Sequence, residues 1–143
     1  DRIAGALLIG GDVSPKLEKM LWIQYAANNP LLEWLVPGNL RQCNREILAA
    51  PRDLVEIQDG LSKLTVPVVM LHGTSDGLVQ VENVAWLESR LAALRKTNLF
   101  AKVVLPGANH FIPWERPGDV AARIEKLVRL TEQRGQRSER SQF

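Results

Sequence analysis

Two short segments of this chain carry side chains that could act together in catalysis. HGTSDGLV contains Asp76, and PGANHFIPWE contains His110. A carboxylate that accepts a hydrogen bond from one imidazole nitrogen orients the ring, and the other nitrogen can then take a proton from a nucleophile. An acid and a histidine of this kind can therefore support nucleophilic catalysis if the fold brings them together.

Short apolar runs that read as buried strands precede both segments. Residues 66–71 (VPVVML) lead into the first segment and residues 102–105 (KVVL) into the second, and residues 3–9 (IAGALLI) form an earlier run. Each run is nearly continuous in apolar residues, which is typical of a parallel sheet covered on both faces. Active sites gather at the carboxyl ends of such strands. If the second and third strands are neighbours, Asp76 and His110 can meet above that edge.

Helical patterns separate the strands. Ser14 and Pro15 favour a helix start, because serine is a common N-cap and proline suits the first helical position. Apolar residues recur at helical spacing in three later stretches. They are Leu54, Ile57, Leu61 and Leu64, then Val84, Leu87, Leu91 and Leu94, then Val120, Ile124, Leu127 and Leu130. Strands joined by helices predict an α/β fold with three parallel strands and flanking helices.

One stretch has no strand signal and predicts a separate helical insertion. Residues 12–62 have helical character that prolines interrupt at positions 30, 37 and 51. We therefore expect a core strand in residues 1–11, a helical cap or lid in 12–62 and the rest of the core in 63–134. Residues 135–143 lack periodicity and read as a frayed polar tail.

The motifs resemble those of the α/β-hydrolase superfamily. HGTSDGLV is similar to its acid loop, H-G-x-x-D-x-x-V-P, although Gln80 stands where proline is common. PGANHFIPWE is similar to its histidine loop, G-x-x-H-x-x-x-x-E, and IAGALLIGG to its sixth strand. The resemblance covers residues 3 to about 130 and implies the C-terminal part of the fold with an inserted cap. It also implies Asp76 as triad acid and His110 as general base.

The nucleophile of that family precedes the acid, on a G-x-S-x-G elbow after a separate strand. The segment from Gly73 to Gly77 matches this pattern through Ser75. A triad built on Ser75 would need an acid between it and His110. That interval offers Asp76 beside the serine itself, and Glu82 and Glu88 on a predicted helix. We therefore expect the nucleophile to lie upstream of the first residue, Asp1, which is not a methionine.

These considerations predict an esterase- or lipase-like hydrolase that acts on ester or related carbonyl substrates without metal or cofactor. The chain itself would be an inactive fragment that has the acid and the histidine but not the nucleophile. The alternative is a non-catalytic remnant or partner-binding half-domain. An apolar first strand without a neighbour would expose an open edge. Self-association through residues 3–9 is therefore expected.

Other candidate residues have two interpretations each. Trp22, Tyr25 and Trp34 in the cap could line a pocket for an apolar small-molecule substrate, or they could form the cap's own core. His72, at a strand end, could have a catalytic role, but it reads as a packing residue. Asp76 could also cap the helix expected near Val81, a role that is compatible with serving His110.

Composition excludes several function classes. The net charge is +2, largely from a basic C-terminal end, which does not indicate nucleic-acid binding. The single cysteine, Cys43, excludes an internal disulfide, and no run approaches the length of a membrane span. A cytoplasmic location is the expectation that follows.

Overall fold

The computed structural model describes residues 3–17, 25–26, 29–31, 34 and 36–140. Short 3-10 turns at Leu61–Lys63 and Thr97–Leu99 lead into the second and third strands. In chain order the main elements are β1 Ala6–Ile9, α1 Gly38–Gly60, β2 Val68–Gly73, α2 Glu82–Ala93, β3 Phe100–Leu105, α3 Ile112–Glu115 and α4 Pro117–Arg140.

The three strands form one parallel sheet in the order β1-β2-β3. Ala6 lies opposite Val68, and Val68 lies opposite Phe100, so the strands are in step and end at the same edge. This confirms the predicted fold class of three parallel strands with flanking helices. The strand limits differ slightly, because β1 begins at Ala6 rather than at residue 3, and β2 extends through His72 to Gly73.

The middle strand is covered on both faces. All six residues of β2 are buried. Met70 packs with Val84, Leu87 and Leu91 of α2, whereas Leu71 packs on the other face with Ala108 and Ile112. Because successive side chains of a strand point to opposite faces, this explains why the run is continuously apolar. The stripe in α2 ends earlier than predicted, since the helix stops at Ala93 and Leu94 is partly exposed.

Helix α1 runs through Pro51, and the prediction that this proline interrupts the helix is wrong. Proline lacks the N–H that would bond to the carbonyl four residues earlier, but its fixed φ is compatible with helix. The helix therefore loses the hydrogen bond that the missing N–H would make, and it continues to Gly60. The helix predicted to start near Ser14 falls mostly on residues outside the described ranges. Only a turn at 15–17 is described there.

The last helix is longer than expected, because α4 continues to Arg140 where a frayed tail was predicted from residue 135. Its N-terminal half packs on the sheet through residues such as Val120 and Leu127. Ile124 and Val128 remain about half exposed. In the part of the chain that the structure describes, we find no helix with the length and apolar character needed to cross a bilayer.

An apolar cavity of about 180 Å³ opens beside β1. It lies on the face of the sheet that helix α2 covers, since Val68 of β2 and Leu87 of α2 also line it. Its walls come from β1, the end of α1 and helix α2, and they are lined by Ala6, Leu8, Ile57, Leu61, Trp86 and Leu91, among others. The packing between the sheet and the helices on this face is therefore incomplete next to β1.

Candidate active site

Asp76 lies in the turn that follows β2, with its side chain fully buried. Its Oδ1 accepts hydrogen bonds from the backbone N–H groups of Leu78, at 2.9 Å, and Val79, at 2.8 Å. Burial alone would raise the pKa of this carboxyl group. The hydrogen bonds from Val79, His110 and Leu78 outweigh burial and hold the pKa of Asp76 below its ordinary value. The carboxyl group is therefore an anion at neutral pH.

The alternative role of Asp76 as a helix cap is not realised. Helix α2 begins at Glu82, and its N-cap residue, Val81, makes no side-chain capping bond. Asp76 instead closes its own turn by binding the amides two and three residues later, as an Asx turn does. This local bonding fixes the carboxylate without help from α2.

His110 lies in the loop after β3 and meets Asp76. Its Nδ1 is 2.9 Å from Asp76 Oδ2. The carboxylate only accepts, so Nδ1 carries the hydrogen and Nε2 of a neutral ring is the basic nitrogen. The side chain is 32% exposed, and no hydrogen bond from Nε2 to another described residue is found. The ring thus has an oriented side and an accessible basic side.

Close contact between the two loops holds this pair together. Gly73 lies so near the second loop that a Cβ there would be 2.1 Å from the Ala108 carbonyl oxygen. The Ser75 N–H donates to that same oxygen at 2.9 Å. The Gly107 N–H donates to Thr74 Oγ1 at 2.8 Å. Glycine at position 73 is required by this approach of backbone to backbone.

The end of β1 covers the pair from a third strand. Gly10 has a φ of +54°, which favours glycine. A Cβ at this position would lie 3.2 Å from His110 Nδ1 and 3.3 Å from Asp76 Oδ2. The sequence analysis did not single out Gly10. The signal that could have found it is the pair of glycines directly after the first apolar run.

A second local network shapes the histidine loop. Asn109 Oδ1 accepts from the Phe111 N–H at 2.6 Å, and Asn109 Nδ2 donates to Glu115 Oε1 at 2.5 Å. These bonds bracket His110 and set the direction of its side chain. Phe111 lies edge-on to the His110 ring, with centroids 5.8 Å apart, and Trp114 continues this aromatic row. Both aromatic side chains are more than half exposed.

Other residues named from the sequence lie away from this pair. Ser75 is exposed on the turn, and no bond from its hydroxyl to His110 is found among the described residues. Tyr25 and Trp34 are 61% and 74% exposed, and no contact of either with the pair is found there. Trp22 lies outside the described residues, so the proposed pocket stays a prediction. No group of three or more metal-binding side chains occurs within the described ranges.

His72 is fully buried at the end of β2, as a packing residue would be. Its Nδ1 is 3.1 Å from the Gly73 carbonyl oxygen, and its Nε2 is 4.0 Å from Asp76 Oδ2. Buried polar atoms normally have a hydrogen-bond partner. Nε2 has none within the described structure.

Comparison with known proteins supports the fold. No family model matches this sequence, and no curated protein matches it. Among solved structures, a thermophilic esterase is similar, with 15% sequence identity and a TM-score of 0.53. The match covers 90% of this chain and 57% of the esterase chain. A likeness at this identity shows a shared fold, and the chain spans little more than half of that neighbour.

Proposed function

We propose that this chain supplies the acid and the general base of an α/β-hydrolase active site. The observation that carries the proposal is the 2.9 Å hydrogen bond between His110 Nδ1 and the buried carboxylate of Asp76. It lies at the carboxyl edge of a parallel sheet, where such folds carry their chemistry. Asp76 is the triad acid, and His110 is the base.

In this mechanism each residue has a separate task. His110 Nε2 removes the proton of a nucleophile and later activates water for the second half of the reaction. Asp76 keeps the ring in the tautomer with hydrogen on Nδ1 and stabilises its positive form. The amides of Leu78 and Val79 keep the carboxylate from turning away. The substrate class we assign is an ester or a related carbonyl compound, in keeping with the esterase neighbour.

We further propose that the nucleophile comes from a segment outside residues 1–143. Three features support this. Ser75 makes no described bond to His110, and among the described residues no strand pairs with the outer edge of β1. The esterase neighbour has additional chain that the match does not cover. Residues 12–62 would form the cap of such an enzyme, and Trp22, Tyr25 and Trp34 would contact the apolar part of the substrate.

The test begins with the coding DNA upstream of Asp1, read in frame. We expect a strand, a G-x-S-x-G or G-x-D-x-G elbow and a helix. If the elbow carries serine, the product of that longer frame should hydrolyse short p-nitrophenyl esters; an aspartate there would instead predict a dehalogenase or an epoxide hydrolase. His110→Gln should reduce kcat by several orders of magnitude, since catalysis by such a triad depends on its base. Glu88→Gln, on an exposed ion pair far along α2, is the matched control and should leave kcat unchanged.

The opposite result is equally clear. A start codon directly before Asp1, or full activity of His110→Gln, would contradict the proposal. The second candidate function, a non-catalytic half-domain that binds a partner, would then take its place. The specific observation that favours this alternative is that no strand within the described ranges pairs with the outer edge of β1, so its backbone groups are offered to another strand.

A further inference from the structure

The apolar cavity between the sheet and helix α2 has the size of a site for a small molecule. Its volume is about 180 Å³. An apolar cavity of about 150 Å³ that is lined by aliphatic and aromatic side chains stays dry and binds benzene. The cavity beside β1 therefore has room for one aromatic ring with a substituent, or for two fused rings.

Three elements form the walls of this cavity. Ala6 and Leu8 lie two residues apart on β1, so their side chains share the face of the sheet that α2 covers. Trp86 of α2 is the aromatic part of the wall, and Arg90 lies over its ring, 5.8 Å from the centroid. Ile57 of α1 is 47% exposed and marks the side that opens to solvent. A flat aromatic molecule can therefore pack against Trp86 with aliphatic side chains around it.

A single carboxyl group lines the cavity, at the end where β1 finishes. It belongs to Asp12, and the other lining side chains are aliphatic or, in Trp86, aromatic. A carboxylate has about four positions that accept hydrogen bonds, and the backbone of Ser14 and Val13 and the side chain of Asn83 occupy three of them. Burial raises the pKa of Asp12 despite these bonds. A further donor directed at this carboxyl group would therefore stabilise it.

We propose that this cavity binds a small aromatic molecule that carries one hydrogen-bond donor, an N–H or O–H group. The ring lies between β1 and α2 against Trp86, and the donor points toward Asp12. This orientation follows from the lining, because its only accepting side chain stands at one end. His110 is not among the lining residues, so the inference does not depend on the proposed function.

Three bicyclic molecules of nearly the same shape test the proposal on the unmodified chain. Indole has an N–H group where indene has a methylene group and benzofuran has an oxygen that only accepts. We expect indole to bind about tenfold more tightly than indene, because a hydrogen bond to the carboxylate is added. Benzofuran should bind no more tightly than indene, since its oxygen faces another acceptor. The rise in Tm at one chain concentration and equal ligand concentrations ranks the three affinities.

Two results of this series would overturn the inference. Equal affinities for indole and benzofuran would mean that no donor meets Asp12. An unchanged Tm with indole would mean that the cavity is not a binding site.

Methyl resonances show where the bound ring lies, because an aromatic ring shifts the signals of methyl groups close to it. The signals of Leu8, Leu91 and Ile57, which line the cavity, should move when indole is added. Those of Ile124 and Val128, half exposed on α4, should not. Equal shifts in both sets would show indole on apolar surface in general and would contradict the proposed site.

Two variants test the size of the cavity. Ala6→Leu puts a larger side chain into it and should abolish the binding of indole. Ala4→Leu is the matched control, since Ala4 is exposed and does not line the cavity. Indole binding that is as tight in Ala6→Leu as in the control would place the ligand elsewhere.

A third variant tests the carboxyl group. Asp12→Asn keeps an oxygen that accepts from the Ser14 N–H but adds an amide donor, so it should narrow the difference in affinity between indole and benzofuran. An unchanged difference would contradict the role of Asp12. The ligand series on the unmodified chain decides the matter should a variant fail to fold.

Discussion

Replacing Gly73 by alanine should destabilise the site far more than the addition of one methyl group usually does. The added Cβ would lie 2.1 Å from the Ala108 carbonyl oxygen and 2.6 Å from its carbon. Ordinary contacts of a methyl carbon are about 3.5–4 Å, so the histidine loop must retreat by more than roughly 1 Å. That movement stretches the 2.9 Å bond from the Ser75 N–H to the Ala108 oxygen. Overpacking costs about 1–3 kcal/mol and a lost bond about 1 kcal/mol.

We therefore expect Gly73→Ala to lower the free energy of unfolding by about 3 kcal/mol. For a chain of this length that lowers Tm by roughly 10 °C. Gly77→Ala is the matched control, because nothing lies within 4 Å of a Cβ there. Both substitutions restrict the unfolded chain similarly, so their difference isolates the collision. Circular dichroism at equal chain concentration measures Tm. Equal values for the two variants would refute the contact between the loops.

Three further predictions use other parts of the molecule. The pKa of Asp76 is lowered in the fold, so its stabilisation is present above its unfolded value of 3.8 and is lost as pH falls through the folded value. Asp76→Asn should lower the free energy of unfolding by about 2 kcal/mol at neutral pH and make that free energy fall less steeply as the pH becomes acidic. Denaturant titrations that show the same fall in acid for the variant and the unmodified chain would refute this. The chain alone should show negligible p-nitrophenyl ester hydrolysis; turnover that disappears in Ser75→Ala would make Ser75 the nucleophile. Light scattering should show that the chain associates through β1 as its concentration rises. Leu7→Pro should weaken this association more than Leu7→Ala, because both substitutions shorten the side chain but only proline removes an N–H from the edge of the strand. Equal weakening by the two variants would place the interface elsewhere.

The sheet was predictable from sequence because its strands are buried on both faces and therefore continuously apolar. Helix α1 was harder to predict, because Pro51 indicates an interruption whereas the observed helix continues through it. The extent of α4 was also missed, because GQRSER has no apolar stripe, yet the helix continues through it to Arg140. Apolar periodicity reports which residues a helix buries and is silent where a helix extends past the core.

The meeting of Asp76 and His110 was predictable because each follows a strand in a recognisable loop and the two strands are neighbours. The groups that hold them were not. The amides of Leu78 and Val79 are backbone atoms, so no residue type announces them. The role of Gly10 depends on how close β1 lies to two distant loops.

The free edge of β1 and the accessible side of His110 are connected through Gly10. The N–H groups of Ala6 and Gly10 donate to carbonyl oxygens of Pro67 and Leu71, on the β2 side. Alternate N–H groups of a strand in a parallel sheet face opposite neighbours, so those of Leu7 and Ile9 point to the open edge. A strand paired there in parallel would lie about 4.8 Å away and end beside Gly10. A Cβ on Gly10 would be 3.4 Å from His110 Cε1, the ring carbon between the two nitrogens. A residue at the end of that added strand would therefore lie at the same edge of the sheet as the His110 ring, which is where the proposed nucleophile has to be.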